Sequence, residues 1–301
     1  MYPSPVEYND RMEKTVDRLD SATIARLVGE AIAHIACELR PDVLAALERA
    51  RQEEGDARGQ VILGQLIENA HIAARDRVPL CQDTGTVWVL LEVGEACVVS
   101  ADVFSKVDAA VAEAYRACGL RMSLARDALV DRQNTGDNTP AFCELSFVQG
   151  LGHGARLHVM LKGGGSDNAS RIVMLEPGAG MAGVRRAVLE AVVEKGANAC
   201  PPLILGIGVG ATFDKVAGLS KRALLREVGS NNPVPALDVF EHSVLAALKA
   251  TDVGPGGFGG QTTALAAHVL TAPCHIATLP VAINLCCSAL RSHSMFLSCE
   301  A

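Results

Sequence analysis

The chain has 301 residues, 49% of them hydrophobic and 20% charged, with a net charge of −7 at pH 7. This composition supplies ample core for one large domain and excludes a disordered chain. The acidic balance, the lack of a Lys/Arg run and an aromatic content of only 4% argue against nucleic-acid binding.

No apolar run is long enough to span a membrane, and Met1-Tyr2-Pro3-Ser4-Pro5-Val6-Glu7 lacks the basic-then-apolar pattern of a leader, so the expected location is cytoplasmic. In that compartment the ten cysteines are expected as free thiols, mostly buried, with a few available to a metal.

Residues 20–54 read as helix. Asp20 and Ser21 cap the start, and Ile24, Leu27, Val28, Ala31, Ile32 and Ile35 recur at helical spacing. Pro41 breaks the run and opens a second helix, and a third spans Gly59 to about Arg75, completing a helical lead-in over about 20–75. A strand is expected at 86–93 and a helix at 102–118. Strands at 142–149 and 155–161 flank Gly150-Leu151-Gly152-His153-Gly154. A helix over 181–195 ends at Gly196, read as its left-handed cap. A buried strand from Leu203 to Gly210, helices at 213–228 and 236–250, a flexible Gly254–Gly260 connection and two last strands near 262–270 and 276–285 complete the pattern. The class is mixed α/β (α+β): a helical N-terminal region, then mixed sheets flanked by helices. Neither a repeat nor a linker divides the 301 residues, which read as a single domain.

Chemistry concentrates at Cys81-Gln82-Asp83-Thr84-Gly85, a turn between Pro79 and the strand at Thr86. A thiol, an amide, a carboxylate and a hydroxyl stand together there, where a loop can face a cavity without disturbing the core. Cys81, Cys200 and Cys287 share one context, irregular backbone at a strand boundary. Three such thiolates suit a [4Fe–4S] cluster with one iron open to substrate, while their spacing, which lacks any C-x-x-C run, favours buried structural thiols. Asp83 is a candidate acid/base or a turn cap, Arg121 a carboxylate clamp or a surface ion pair, and His275 a ligand contact or a structural histidine. Lys162-Gly163-Gly164-Gly165-Ser166 lacks phosphate-loop spacing, and Gly206-x-Gly208-x-Gly210 lacks dinucleotide spacing. Such bare backbone either offers N–H groups to a carboxylate or permits tight packing.

Several of these segments together resemble class I, iron–sulfur fumarate hydratases of the fumarase–tartrate dehydratase family. They are Cys81–Gly85, Asn134-Thr135-Gly136-Asp137-Asn138-Thr139-Pro140-Ala141, Lys162–Ser166, Asn198-Ala199-Cys200-Pro201-Pro202, Gly259-Gly260-Gln261-Thr262-Thr263-Ala264 and His275-Ile276-Ala277-Thr278-Leu279-Pro280-Val281-Ala282. The resemblance covers about 20–291. It implies a [4Fe–4S] cluster on Cys81, Cys200 and Cys287. It also implies a small dicarboxylate bound by Gln82, Arg121 and the Gly164 backbone, proton transfer by Asp83 and a substrate contact from His275. Two positions depart from the family pattern: Cys286-Cys287-Ser288 replaces Gln-Cys-His, leaving Cys286 as a competing ligand, and Cys274 stands at a common threonine.

Single-chain members continue into a second domain, whereas this sequence stops at Ala301. It thus resembles the α subunit of the two-subunit form, which implies a separate β subunit and a heterotetramer. The implied reaction is reversible dehydration of (S)-malate to fumarate. L(+)-tartrate dehydration is the alternative within the class, and a noncatalytic thiol-rich scaffold subunit the alternative outside it.

Overall fold

The computed structural model describes residues 13–16 and 19–299, so the leader reading on Met1–Glu7 lies outside the described residues. Along the chain run β1 (Glu13–Val16), α1 (Ser21–Ile35), α2 (Pro41–Glu53), α3 (Ala57–Asp76), β2 (Thr86–Gly94), α4 (Val107–Ala117), β3 (Phe142–Val148), β4 (Gly154–Lys162), α5 (Gly164–Asn168) and β5 (Arg171–Leu175). There follow α6 (Gly180–Lys195), β6 (Leu203–Ala211), α7 (Val216–Ala223), α8 (Pro235–Lys249), β7 (Ala264–Cys274), β8 (Leu279–Cys286) and β9 (Arg291–Cys299). This is the mixed α/β class expected from the sequence. The elements divide into two compact units: one holds the described residues within 13–40, 70–163 and 291–299, the other 41–69 and 164–290.

In the first unit five strands pair in the order β1-β9-β4-β2-β3. Asp20 starts α1 by accepting the Thr23 N–H at 2.8 Å, the capping role its sequence position suggests. The apolar stripe of α1 packs with Val111 and Tyr115 of α4 onto Val87, Val89 and Leu91 of β2 and Leu157 and Val159 of β4. β2 is buried along nearly its whole length, which explains its unbroken apolar sequence. The strands flanking Gly150–Gly154 do not pair with each other. β2 lies between them, parallel to β3 and antiparallel to β4, so this buried strand takes a partner on both edges. The helix expected from residue 102 begins at Val107, after a series of turns.

In the second unit the order is β5-β8-β6-β7, with β6 parallel to β7 and antiparallel to β8. Leu203, Leu205 and Ile207 of β6 and Ile283 and Leu285 of β8 form a core with Val188 and Val192 of α6 and Val244 and Leu248 of α8. The β6 glycines let α7 approach the strand: a Cβ at Gly206 would lie 2.1 Å from Ser220 O, and one at Gly208 2.6 Å from Val216 O. Close packing, rather than anion binding, therefore accounts for this glycine pattern.

Three local expectations change in this unit. Gly196 is right-handed (φ −59°) and leads into a 3-10 turn, Gly196–Ala199. The left-handed residue is Cys200, at φ +54°. Gly196 still needs to be small, because a Cβ there would sit 3.0 Å from Val192 Cγ1. The helix expected over 213–228 is confined to Val216–Ala223. Gly254–Gly260 is a folded loop rather than a loose connection: it contains a 3-10 turn at Pro255–Gly257, and Gly256 N–H donates to Pro201 O at 2.8 Å.

Candidate active site

The turn before β2 is held by its own side chains. Cys81 Sγ accepts the Asp83 N–H at 3.4 Å, and Asp83 Oδ1 accepts the Gly85 N–H at 3.1 Å. Gly85 is left-handed (φ +80°), and a Cβ there would lie 2.9 Å from the Lys162 carbonyl. Gln82 Oε1 stands 3.4 Å from Cys81 Sγ. The turn is also tied to its surroundings. Thr84 Oγ1 donates to Arg121 O, Tyr115 Oη lies 3.0 Å from both Thr84 O and Gly85 O, and Asn138 Nδ2 donates to Gly85 O at 3.1 Å. Asn138 Oδ1 in turn accepts the Ser123 N–H at 2.8 Å. Cys81, Gln82, Asp83 and the Arg121 segment are thus brought to one end of the five-stranded sheet.

Burial pushes the Tyr115 pKa well above the ordinary phenol range, so the group remains a neutral donor to the turn. Tyr115 and Asn138 were missed as supports of the site. Asn138 lay within a conspicuous turn cluster, whereas Tyr115 reads as one more apolar position of a helix.

The other unit gathers Cys200, Cys287 and Gly164 at one end of its sheet. Cys200 precedes β6 and Cys287 follows β8, whose last residue, Cys286, is in register with Ile204. Ser288 N–H donates to Cys200 O at 3.3 Å. Gly165, beside Gly164, is placed so that a Cβ would meet Asn198 O at 3.4 Å. The Gln261–Thr263 segment joins the same end through Leu203 N–H to Thr263 O at 2.8 Å.

Glu54, also missed from the sequence, fixes that segment. Its carboxylate accepts N–H groups from Asp56 (3.0 Å), Gln261 (3.1 Å) and Thr262 (2.8 Å). Burial works to raise its pKa, but these hydrogen bonds outweigh it and hold the carboxyl below its ordinary value.

His275 lies elsewhere. It occupies the exposed turn between β7 and β8, where its Nδ1 accepts the Ala277 N–H at 3.1 Å. The pairing of Ala211 with Cys274 puts that turn at the far end of β6 from Cys200, about 25 Å away at the usual rise per strand residue.

Among the described residues, no three His, Cys, Asp or Glu side chains form a ready metal-holding group. Cys81 belongs to one unit, and Cys200 and Cys287 to the other. As donors the three share with Cys97 and Cys118 a position outside helix and strand. Each lies outside helix and strand and in no disulfide; Cys81 and Cys287 are half-buried and Cys200 is exposed. Cys37 and Cys286 are buried, and burial pushes the Cys143 thiol up to about 12. A thiolate ligand must lose its proton, so the donor chemistry of Cys81, Cys200 and Cys287 fits iron–sulfur ligation and that of Cys143 does not.

Residues 25–295 match the family model described as Fumarate hydratase (Fumerase). The chain is 34% identical over 272 residues to a Methanocaldococcus jannaschii protein named "Putative L(+)-tartrate dehydratase subunit alpha", covering 89% of this chain and 95% of that one. It is 28% identical over 280 residues to the Escherichia coli O157:H7 L(+)-tartrate dehydratase subunit alpha, covering 92% and 91%. Matches of this extent define a hydro-lyase class. Within it, the chain belongs to the fumarate hydratase (fumerase) family. Among the described residues, no helix is long and apolar enough to cross a membrane.

Proposed function

We propose that this chain is the α subunit of an iron–sulfur hydro-lyase that dehydrates a 2-hydroxy dicarboxylate, with L(+)-tartrate as the leading substrate. The observation that carries the reading is its near full-length similarity to relatives named for L(+)-tartrate dehydration. Dehydration of (S)-malate to fumarate is the second reading. It is favoured by the family description and by the Lys162–Asn168 segment, which resembles the fumarase branch. The relatives' names move the balance from malate, the substrate first implied by the sequence, towards tartrate.

In this reading Cys81, Cys200 and Cys287 hold the [4Fe–4S] cluster. When bound, it supplies a Lewis-acidic iron towards the substrate's hydroxyl and carboxylate. Asp83, with Oδ1 occupied by the Gly85 N–H, directs its other oxygen to the proton next to a carboxylate. Arg121 pairs with a carboxylate, and Gln82 and the Gly164 N–H orient the substrate. His275, exposed at the far end of its sheet, takes no part in the Cys200–Cys287 end of this unit, so proton transfer is assigned to Asp83. The "subunit alpha" names support a β subunit on a separate chain, and the heterotetramer follows from the family resemblance.

The test is anaerobic purification with and without a co-expressed β subunit, iron and sulfide analysis, and turnover on L(+)-tartrate, (S)-malate and fumarate. Iron-dependent turnover that requires both chains is expected. An iron-free chain after anaerobic reconstitution, with no turnover of any diacid, would leave the thiol-rich scaffold as the better reading.

A further inference from the structure

Arg291 opens β9, and its side chain is only 2% exposed. Its Nε has no hydrogen-bond partner among the described residues. A guanidinium does not shed its charge at any ordinary pH, so burying it with an unmet donor is costly unless an anion completes the site. Gly163 shows what stands beside the guanidinium. At Gly163, the position a Cβ would occupy lies 3.1 Å from Asp83 Oδ2 and 3.7 Å from Arg291 Nη2. Gly163 therefore stands against both the Arg291 cation and the Asp83 carboxylate, which leave little room there for a side chain. Asp83 is half-buried. Tyr115 borders the same place, since both Arg291 and Asp83 act electrostatically on its buried hydroxyl.

We propose that Arg291 is a carboxylate anchor of the active site, receiving one end of the dicarboxylate through its unmet guanidinium donor close to Asp83. This rests on the hydro-lyase reading above and adds a residue that its motifs do not include. Arg121 and Arg291 then give this chain two cations, matched to the two ends of a diacid. An anchor at this place also holds the carbon next to the bound carboxylate within reach of Asp83, where a proton must leave.

The experiment is calorimetric titration of the full chain, purified with any subunit that accompanies it, using L(+)-tartrate and the monocarboxylate lactate. Wild type should bind tartrate about tenfold or more tightly than lactate, as expected for an added charge-assisted pair. Arg291→Gln should lose that preference while lactate binding changes little, and Arg291→Lys should restore part of it. Gly163→Ala, whose Cβ would press on Asp83 Oδ2 at 3.1 Å and stand 3.7 Å from Arg291 Nη2, should weaken tartrate binding as well and covers the case in which Arg291→Gln does not fold. The thermal midpoint of each variant reports on folding. Tartrate affinity within about twofold of wild type in every folded variant overturns the proposal, as does a wild type that does not distinguish tartrate from lactate. If the anchor behaves as expected but neither tartrate nor malate is turned over, the hydro-lyase reading fails and the anchor stands.

Discussion

Ser288 N–H donates to the carbonyl oxygen of Cys200 at 3.3 Å, tying the residue after Cys287 to the left-handed residue that precedes β6. The contact separates the two adjacent cysteines. Cys286 is the last paired residue of β8 and only 4% exposed, whereas Cys287 is half-buried and already outside the strand. Cys287→Ser is expected to lose the cluster, as are Cys81→Ser and Cys200→Ser, because iron in such a cluster requires thiolate. Cys286→Ser and Cys143→Ser should keep iron and sulfide close to wild type. Iron analysis of anaerobically reconstituted protein decides it, and the reverse pattern for Cys286 and Cys287 would show the third ligand to be misassigned.

Glu54 is expected to be a structural lock on the Gln261–Thr263 segment. Glu54→Gln replaces an acceptor of N–H groups from Asp56, Gln261 and Thr262 with an amide that has one acceptor oxygen. The loss should be about 1–3 kcal/mol at neutral pH, read by denaturant unfolding. Because the folded-state pKa lies below the ordinary 4.5, the carboxylate contributes stability that is fully present above that value. This contribution disappears as the pH falls through the lowered pKa. The gap between wild type and Glu54→Gln should therefore narrow in acid, and a gap that widens there would contradict the assignment.

Tyr115 supports the turn that carries Cys81 and Asp83, with its hydroxyl 3.0 Å from two carbonyl oxygens. Tyr115→Phe keeps the ring in the core but removes the donor, at a cost of about 1 kcal/mol. Turnover should fall more than this stability loss suggests, because the turn that presents Asp83 would be less well held. Unfolding and steady-state kinetics on the same preparation make the comparison. Unchanged turnover in a destabilised protein would reduce Tyr115 to a core residue.

Much of this organisation is legible in the sequence because local physics decides it. The α1 stripe, the Asp20 cap and the Pro41 break each depend on a few neighbouring residues. The Cys81–Gly85 turn is legible for the same reason, since proline, an Asx side chain and glycine shape it within five positions. Contacts distant in sequence are what stay hidden. Arg291-Ser292-His293-Ser294 carries no strong strand pattern, yet β9 forms because β4 offers it an edge. Gly254–Gly260 reads as loose from its composition, but Pro201, some fifty positions earlier, helps to fold it. The two units interleave along the chain, so no single linker could mark their boundary. Arg291 and Glu54 were missed for a related reason: each matters through partners far away in sequence, and nothing in its neighbourhood announces the role.

Two glycines of one unit should respond in opposite directions to alanine. Gly206 lies in β6, where a Cβ would stand 2.1 Å from Ser220 O and 2.9 Å from Leu224 Cγ. The first neighbour is backbone of α7, so the helix would have to move away from the strand, and the Leu203–Leu205–Ile207 core would loosen with it. Overpacking of this kind costs about 1–3 kcal/mol or more. Gly218 lies inside α7 itself, and no atom lies within 4 Å of the position its Cβ would occupy. Alanine there fits the helix and reduces the freedom of the unfolded chain, which should add about 0.4–1 kcal/mol. Both variants affect one helix–strand pair, so a general change in α7 cannot produce both signs. Thermal or denaturant unfolding of Gly206→Ala and Gly218→Ala tests the packing directly, and a Gly206→Ala protein as stable as wild type would mean that α7 does not seat against β6 as described.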